Sequence, residues 1–335
     1  MKNRIGILFL GGLFILAFIL MIYYGTKAFY IPPLQTDNQD YAFHFVLIPE
    51  KIDNEYWRTV EKGARDAAEK YNVYLEYYGP IRTNIDEHIQ AIEKAIASKV
   101  DGIMVQGLNE DLFVPIINKA LDQGIAVITV DTDAEKSRRK SYIGSDNYQA
   151  GYLAGKALIA DTKGPQYVGI VTGRKDATHQ KLRIQGFQDA IAEEERIHIV
   201  GIEESKITKA GAAQATYDLL KENPRITAFY GTSALDGIGI AEVYRTLYPL
   251  SNPYIITFDA LPDTLELLEN GEIDAIVVQY PYQMGYLAVE TLVEINRGGY
   301  PERFQYTEVG IIRKDDIEQF LQTWKGIGVD EDVPQ

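Results

Sequence analysis

Residues 42–78 read AFHFVLIPEKIDNEYWRTVEKGARDAAEKYNVYLEYY, and this stretch decides the fold. It opens on a short apolar run, Ala42 to Ile48, of strand length. Between Tyr56 and Tyr71 the large or apolar residues Trp57, Val60, Ala64 and Tyr71 lie close to one helical stripe. A second β-rich run, VYLEYY, follows at Val73 to Tyr78. Strand, amphipathic helix and strand in succession supply the crossover that a parallel pair of strands requires.

The same alternation continues to about residue 310. Further strand candidates are GIMVQG (102–107), IAVITVD (125–131), SYIGSD (141–146), YVGIVTG (167–173), IHIVGIE (197–203), TAFYG (227–231), YIITFD (254–259) and AIVVQY (275–280). Helical patterns cover Asp111 to Gln123, Asn147 to Ala160, His179 to Glu193, Thr208 to Glu222, Leu235 to Leu247 and Gln283 to Arg297. Ile85, Ile89, Ile92 and Ile96 recur on one further helical face, behind Asn84 as N-cap with Glu87 three residues on. These are the marks of a doubly wound α/β fold with parallel sheets. Ten strand candidates are many for one open sheet, so they divide between two Rossmann-like lobes of similar construction.

Composition narrows the class of partner. The chain has 335 residues, 46% hydrophobic and 24% charged, with a formal net charge of −15. That charge repels phosphate backbones and argues against nucleic acid. The cluster Lys136-Ser137-Arg138-Arg139-Lys140 reads as a solvated loop. There is no cysteine, which excludes disulfides, thiol nucleophiles, thiolate metal sites and a lipid-modified cysteine at a signal junction. The four histidines lack paired ligand spacing, so neither metal nor cofactor is expected.

Ahead of the first strand, Ile5 to Tyr24 contains no charge over twenty residues. At about 1.5 Å per residue this run is long enough for a hydrocarbon core of about 30 Å. The cations at Lys2 and Arg4 outweigh Lys27 beyond it, which puts a cytoplasmic stub at residues 1–4, a transmembrane anchor at 5–24 and the remainder outside. Residues 25–40, with Pro32 and Pro33, read as a linker. A cleaved signal peptide shares the charged start and apolar run, but Thr26-Lys27-Ala28 departs from an A-x-A site and the run exceeds the usual apolar region. The expectation is a single-pass cell-membrane protein with an extracytoplasmic domain.

Sites on open α/β sheets lie beyond the carboxyl ends of the strands. Here those ends carry Asp131 with Thr132 and Asp133, Thr232 with Ser233, Asp259, and Gln279 with Tyr280. Any one such residue is compatible with a helix cap; the set together favours a ligand wall. Carboxylates, a carboxamide, hydroxyls and a guanidinium pair with a neutral molecule bearing many hydroxyls, and rings such as Tyr56 and Trp57 cover the C–H face of a sugar. Trp57 also fits the core stripe of its helix, and Arg183 taken singly fits a surface ion pair.

The ordered series Asn54-Glu55-Tyr56-Trp57, VITVDTD, IGSDN, KLRIQGF, YIITFDALPD and VVQYPYQMG resembles the periplasmic sugar-binding proteins of the ribose- and galactose-binding type, over about residues 41–325. The resemblance implies two lobes joined by a three-segment hinge: 41–145 with 281–309, and 146–280 with 310–325. It implies that Asn54 bonds a hydroxyl, that Tyr56 and Trp57 stack on the ring, and that Asp131, Arg183, Asp259 and Gln279 read the rim. Asp133, Thr232 and Asp236 complete the candidate set. Where ribose binders of that family carry proline and arginine, this chain has Glu55 and Thr132, which makes ribose a poor expectation.

The expected function is therefore a receptor for a monosaccharide or polyol that signals by closing. A retained anchor resembles the sugar-binding proteins that sense beside a LytS-type histidine kinase, and an ABC permease is the alternative partner. An enzyme is not expected. No G-x-S-x-G, P-loop or G-x-G-x-x-G is present. A repressor of the lactose type needs a helix-turn-helix where this chain has an apolar run.

Overall fold

The computed structural model describes residues 40–326, with residues 323–326 as backbone alone, together with Gly12, Ile15, Phe18, Leu20, Met21 and Tyr24. Those six are helical and exposed, and the rest of the expected 5–24 span lies outside the described residues. No helix of the described residues is long and apolar enough to cross a membrane.

From Ala42 onward the chain forms one compact unit holding two sheets. The first contains β1 (Phe43–Ile48), β2 (Val73–Tyr77), β3 (Gly102–Val105), β4 (Ala126–Val130), β5 (Ser141–Ser145) and β11 (Phe304–Thr307), in the order β11-β5-β4-β3-β1-β2. The second contains β6 (Gln166–Thr172), β7 (Ile197–Glu204), β8 (Ala228–Gly231), β9 (Tyr254–Phe258), β10 (Ala275–Val278) and β12 (Gly310–Ile312), in the order β12-β10-β9-β8-β6-β7. Central strands such as β3, β4 and β10 are buried along their length, as strands covered by helices on both faces must be.

The connecting helices are α1 (Glu55–Tyr71), α2 (Ile85–Ala97), α3 (Glu110–Asp122), α4 (Asn147–Asp161), α5 (Thr178–Ile191), α6 (Lys209–Glu222), α7 (Ala234–Leu247), α8 (Pro262–Asn270), α9 (Pro281–Asn296) and α10 (Ile317–Gly326). Asn84 caps α2 as its pattern predicts, accepting from the Glu87 N–H at 3.2 Å. The helices α8 and α10 and the strands β11 and β12 were not legible as elements, because each is short or lies at the end of the pattern.

One strand departs from the parallel expectation. β12 pairs with β10 antiparallel, Ile276 opposite Ile312. The strands of both sheets aim their carboxyl ends into the space between the lobes, and only Glu308 and Val309 separate β11 from β12. A chain leaving one sheet at its carboxyl edge therefore enters the other without room to turn, and runs against its neighbours.

Two helix pairs fix the walls of that space. α9 packs on α1, and α4 packs on α5. A Cβ at Gly285 would stand 1.9 Å from the Val60 carbonyl oxygen, and one at Gly151 would stand 1.9 Å from that of Arg183. Only glycine admits such an approach. α1 carries Tyr56 and Trp57, and α5 carries Arg183, so both contacts set the site.

Candidate ligand-binding site

A cleft of about 260 Å³ lies between the carboxyl edges of the two sheets. Asn54, Tyr56, Trp57, Asp131, Arg183, Asp259 and Gln279 all line it, with Glu50, Gln106 and His179. The lobes contribute in parallel fashion. Asp131 ends β4 with φ 67° and Asp259 ends β9 with φ 64°. A non-glycine residue at positive φ is uncommon and is tolerated best by Asp and Asn. Neither aspartate caps the helix that follows its own strand. The Asp131 carboxylate is held by side chains of the cleft, and that of Asp259 by Gln279 and by the backbone N–H of Ala234 at the start of α7.

Asp131 accepts from the Tyr56 hydroxyl at 2.7 Å, from Gln106 Nε2 at 2.8 Å and from the Thr132 hydroxyl at 2.9 Å. Asp259 accepts from Gln279 Nε2 at 2.7 Å, and burial pushes its carboxyl above the usual range against the pull of Arg183. Arg183 is buried. Its guanidinium donates to Asn147 Oδ1 at 2.8 Å, to the Thr232 carbonyl at 2.8 Å and to Gln279 Oε1 at 3.1 Å, and lies 4.0 Å above the Phe258 ring. The surface ion-pair alternative for this residue is thereby excluded.

The NEYW corner has two uses at once. Asn54 Oδ1 caps α1, accepting from the Tyr56 and Trp57 N–H groups at 2.9 and 3.3 Å, which leaves its Nδ2 for other partners. Tyr56 and Trp57 are buried in the core of the first lobe and also border the cleft, their rings meeting edge to face at 6.0 Å. The core-stripe and cleft readings of these rings are both realised. Glu55 is exposed at the cleft margin.

Three candidates lie away from the cleft. Asp133 borders a second cavity and forms a buried ion pair with Arg139, so the basic cluster is not a wholly solvated loop: Arg139 also donates to the Arg303 carbonyl at 2.8 Å and stacks 4.7 Å from Phe304. Thr232 and Asp236 are fully buried beneath the cleft. Thr232 donates to Gln180 Oε1, and desolvation pushes Asp236 up to about 6.

Sequence reading missed Glu50, Gln106, His179 and Gln180. Gln106 had a signal, since GIMVQG ends on a polar residue as the other strands do. His179 lies one helical turn before Arg183, on the same face. Among the described residues, Glu50 to Arg174 at 3.5 Å and Thr132 to His179 Nδ1 at 3.0 Å join the lobes across the cleft. Burial raises Glu50 to about 7 despite Arg174, and lowers His179 to about 4.

Residues 45–299 match the family model described as periplasmic binding protein domain. The chain belongs to the type I periplasmic sugar-binding family. A glucose-galactose binding protein from Geobacillus stearothermophilus, GanP, is 53% identical with a TM-score of 0.80, over 82% of this chain and 98% of that one. A chain of the XylFII-LytSN complex is 34% identical with a TM-score of 0.77, over 82% and 98%. The ribose import binding protein of Escherichia coli is 21% identical over 252 residues, 75% of this chain and 84% of that protein. Members of this family carry their binding domain outside the cytoplasm.

Proposed function

We propose that this protein binds one monosaccharide, or a polyol, between its lobes and passes lobe closure to a membrane partner. The observation that carries the reading is the pair of strand-end carboxylates, Asp131 and Asp259, one from each lobe, facing a single cleft beside Arg183, Gln279 and two aromatic rings. Each sugar hydroxyl both donates and accepts, so a wall of carboxylates and amides pairs with a neutral polyol better than with an anion. Asn54 offers Nδ2 to a hydroxyl, while Asp133, Thr232 and Asp236 support the wall from outside or below. The ligand class is a hexose of the glucose or galactose type, as the name of the 53% identical protein supports. Ligand contacts to both lobes favour the closed state, and the shift in population is the output. The protein is not an enzyme on this reading.

The partner is a sensor histidine kinase in the membrane, a reading supported by the 34% identity to the XylFII-LytSN chain and by the apolar run at residues 5–24 as a single-pass anchor. An ABC permease is the second reading, favoured by the similarity to a ribose import binding protein. A thermal-shift screen of pentoses, hexoses and inositols tests the ligand. At one hundred times its dissociation constant a ligand stabilises by about 2.7 kcal/mol. Asp131→Ala and Asp259→Ala abolish the shift; an unchanged shift in both refutes the site. Copurification of the cross-linked full chain from membranes separates kinase from permease, and a mature chain beginning near Phe29 refutes the anchor.

A further inference from the structure

The space between the lobes is divided in two. Beside the cleft of about 260 Å³ lies a hinge-side cavity of about 640 Å³, bordered by Asp133, Tyr142 and Tyr306 of one lobe and by Thr178 and Leu182 of the other. Among the described residues a single one, His179, lines both. We propose that His179 is a specificity-determining residue that ends the cleft after one sugar ring. This inference rests on the sugar-binding reading.

The imidazole is held from both lobes. Its Nδ1 lies 3.0 Å from the Thr132 hydroxyl, which is fixed in turn by Asp131 at 2.9 Å and Gln106 at 3.1 Å. Its Nε2 lies 3.1 Å from Gln180 Nε2. Gln180 Oε1 accepts from the Thr172 hydroxyl at 2.7 Å and from the Thr232 hydroxyl, which orients the Gln180 amide NH2 toward the histidine. The proton pattern follows. His179 Nε2 accepts from Gln180, its Nδ1–H donates to Thr132, and the Thr132 hydroxyl donates to Asp131. Burial lowers the imidazole to about 4, so it is neutral in this arrangement through the physiological range.

Thr132 is too short to close the cleft by itself, and the ring that completes the partition comes from the opposite lobe. A second sugar ring attached to the first has to pass where this imidazole stands. The cavity beyond has the volume to take it: sites for small molecules span roughly 300–1,000 Å³. Its wall combines rings, Tyr142 and Tyr306, with carboxylates, the same mixture that lines the cleft. Removing the imidazole joins the two spaces.

Calorimetric titration of the full chain, His179→Ala, His179→Asn and Thr132→Ala with glucose, galactose, cellobiose and lactose tests this partition. The unaltered protein binds a monosaccharide at least 100-fold more tightly than the matching disaccharide. His179→Ala weakens the monosaccharide by up to about tenfold, the loss of a neutral hydrogen bond, and narrows the ratio at least tenfold by gaining disaccharide. His179→Asn, which retains a donor but not the ring, falls between. Thr132→Ala, which frees the imidazole from the other lobe, narrows the ratio in the same direction and covers a failure of the histidine variants to fold. An unchanged ratio in folded variants that still bind monosaccharide overturns the partition alone, as does equal affinity of the unaltered protein for both. Absence of any monosaccharide binding overturns the sugar reading and this inference with it.

Discussion

Glu50 sits at the junction of the lobes with 8% of its surface exposed, 3.5 Å from Arg174. An ion pair so placed invites the conclusion that it stabilises the protein. The carboxyl says otherwise: burial outweighs the attraction of Arg174 and raises it from 4.5 to about 7, with Asp131 and Asp176 adding to the rise. Between those two values the folded protein holds a proton that the unfolded chain has released. Stability therefore falls as pH rises from about 4.5 to about 7, and levels off above. At about 1.4 kcal/mol per tenfold change in proton affinity, the loss is on the order of 3 kcal/mol.

Replacing Glu50 by Gln keeps the shape and removes the charge. Melting curves of both proteins from pH 5 to pH 8 isolate this one group, because His88, His179 and Asp236 titrate in each and cancel in the difference. Saturation with the sugar found in the screen holds the lobes closed, so that opening does not rehydrate the carboxylate unnoticed. At pH 5, where the unfolded carboxyl is already largely ionised, Glu50→Gln melts only about 2–3 °C higher. At pH 8 Glu50→Gln melts higher, by roughly 6–12 °C at about 2–4 °C per kcal/mol for a domain of this size. A variant that melts lower than the parent at pH 8 refutes the reasoning, since it would mean that the Arg174 attraction exceeds the cost of burial.

Four further substitutions, at three positions, test the cleft and its walls. Tyr56→Phe removes the hydroxyl bonded at 2.7 Å to Asp131 and destabilises by about 1.5–3 kcal/mol, the range for a bond to a charged group; urea denaturation giving no change would place that hydroxyl outside the energetics of the site. Asn54→Asp keeps the capping oxygen of α1 but loses the amide donor, so sugar affinity falls while stability holds. Asn54→Ala loses both, with about 0.5–2 kcal/mol of stability, and equal melting of the two variants would show that the cap contributes nothing. Gly285→Ala forces a methyl against the Val60 carbonyl and costs about 1–3 kcal/mol or more. The same melting assay checks it, and a neutral result would mean that α1 and α9 can separate freely.

The strand ends show how far a linear reading reaches. Asp131, Asp259 and Gln279 stand out because an apolar run stops on a polar group, and ligand sites of open α/β sheets lie beyond the carboxyl ends of the strands. Asp133 stops the same run two residues later, but its fate depended on Arg139 folding back across six positions to pair with it. Tyr56 and Trp57 read as cleft rings with the core stripe as the alternative, and both are realised because a corner between β1 and α1 is both. His179 carried no mark of its own: a lone histidine at a helix start becomes part of the site only when the second lobe carries it to Thr132.

Sequence alone determined the α/β alternation, the division into two lobes and the polar chemistry of the strand ends, because each depends on local periodicity and on where apolar runs stop. Tertiary structure decided which of those polar groups share one cleft, that β12 runs antiparallel, and that Glu50 and His179 bridge the lobes. Those outcomes depend on the approach of elements separated by tens to hundreds of residues, and burial, partner choice and proton affinity exist only once that approach has been made.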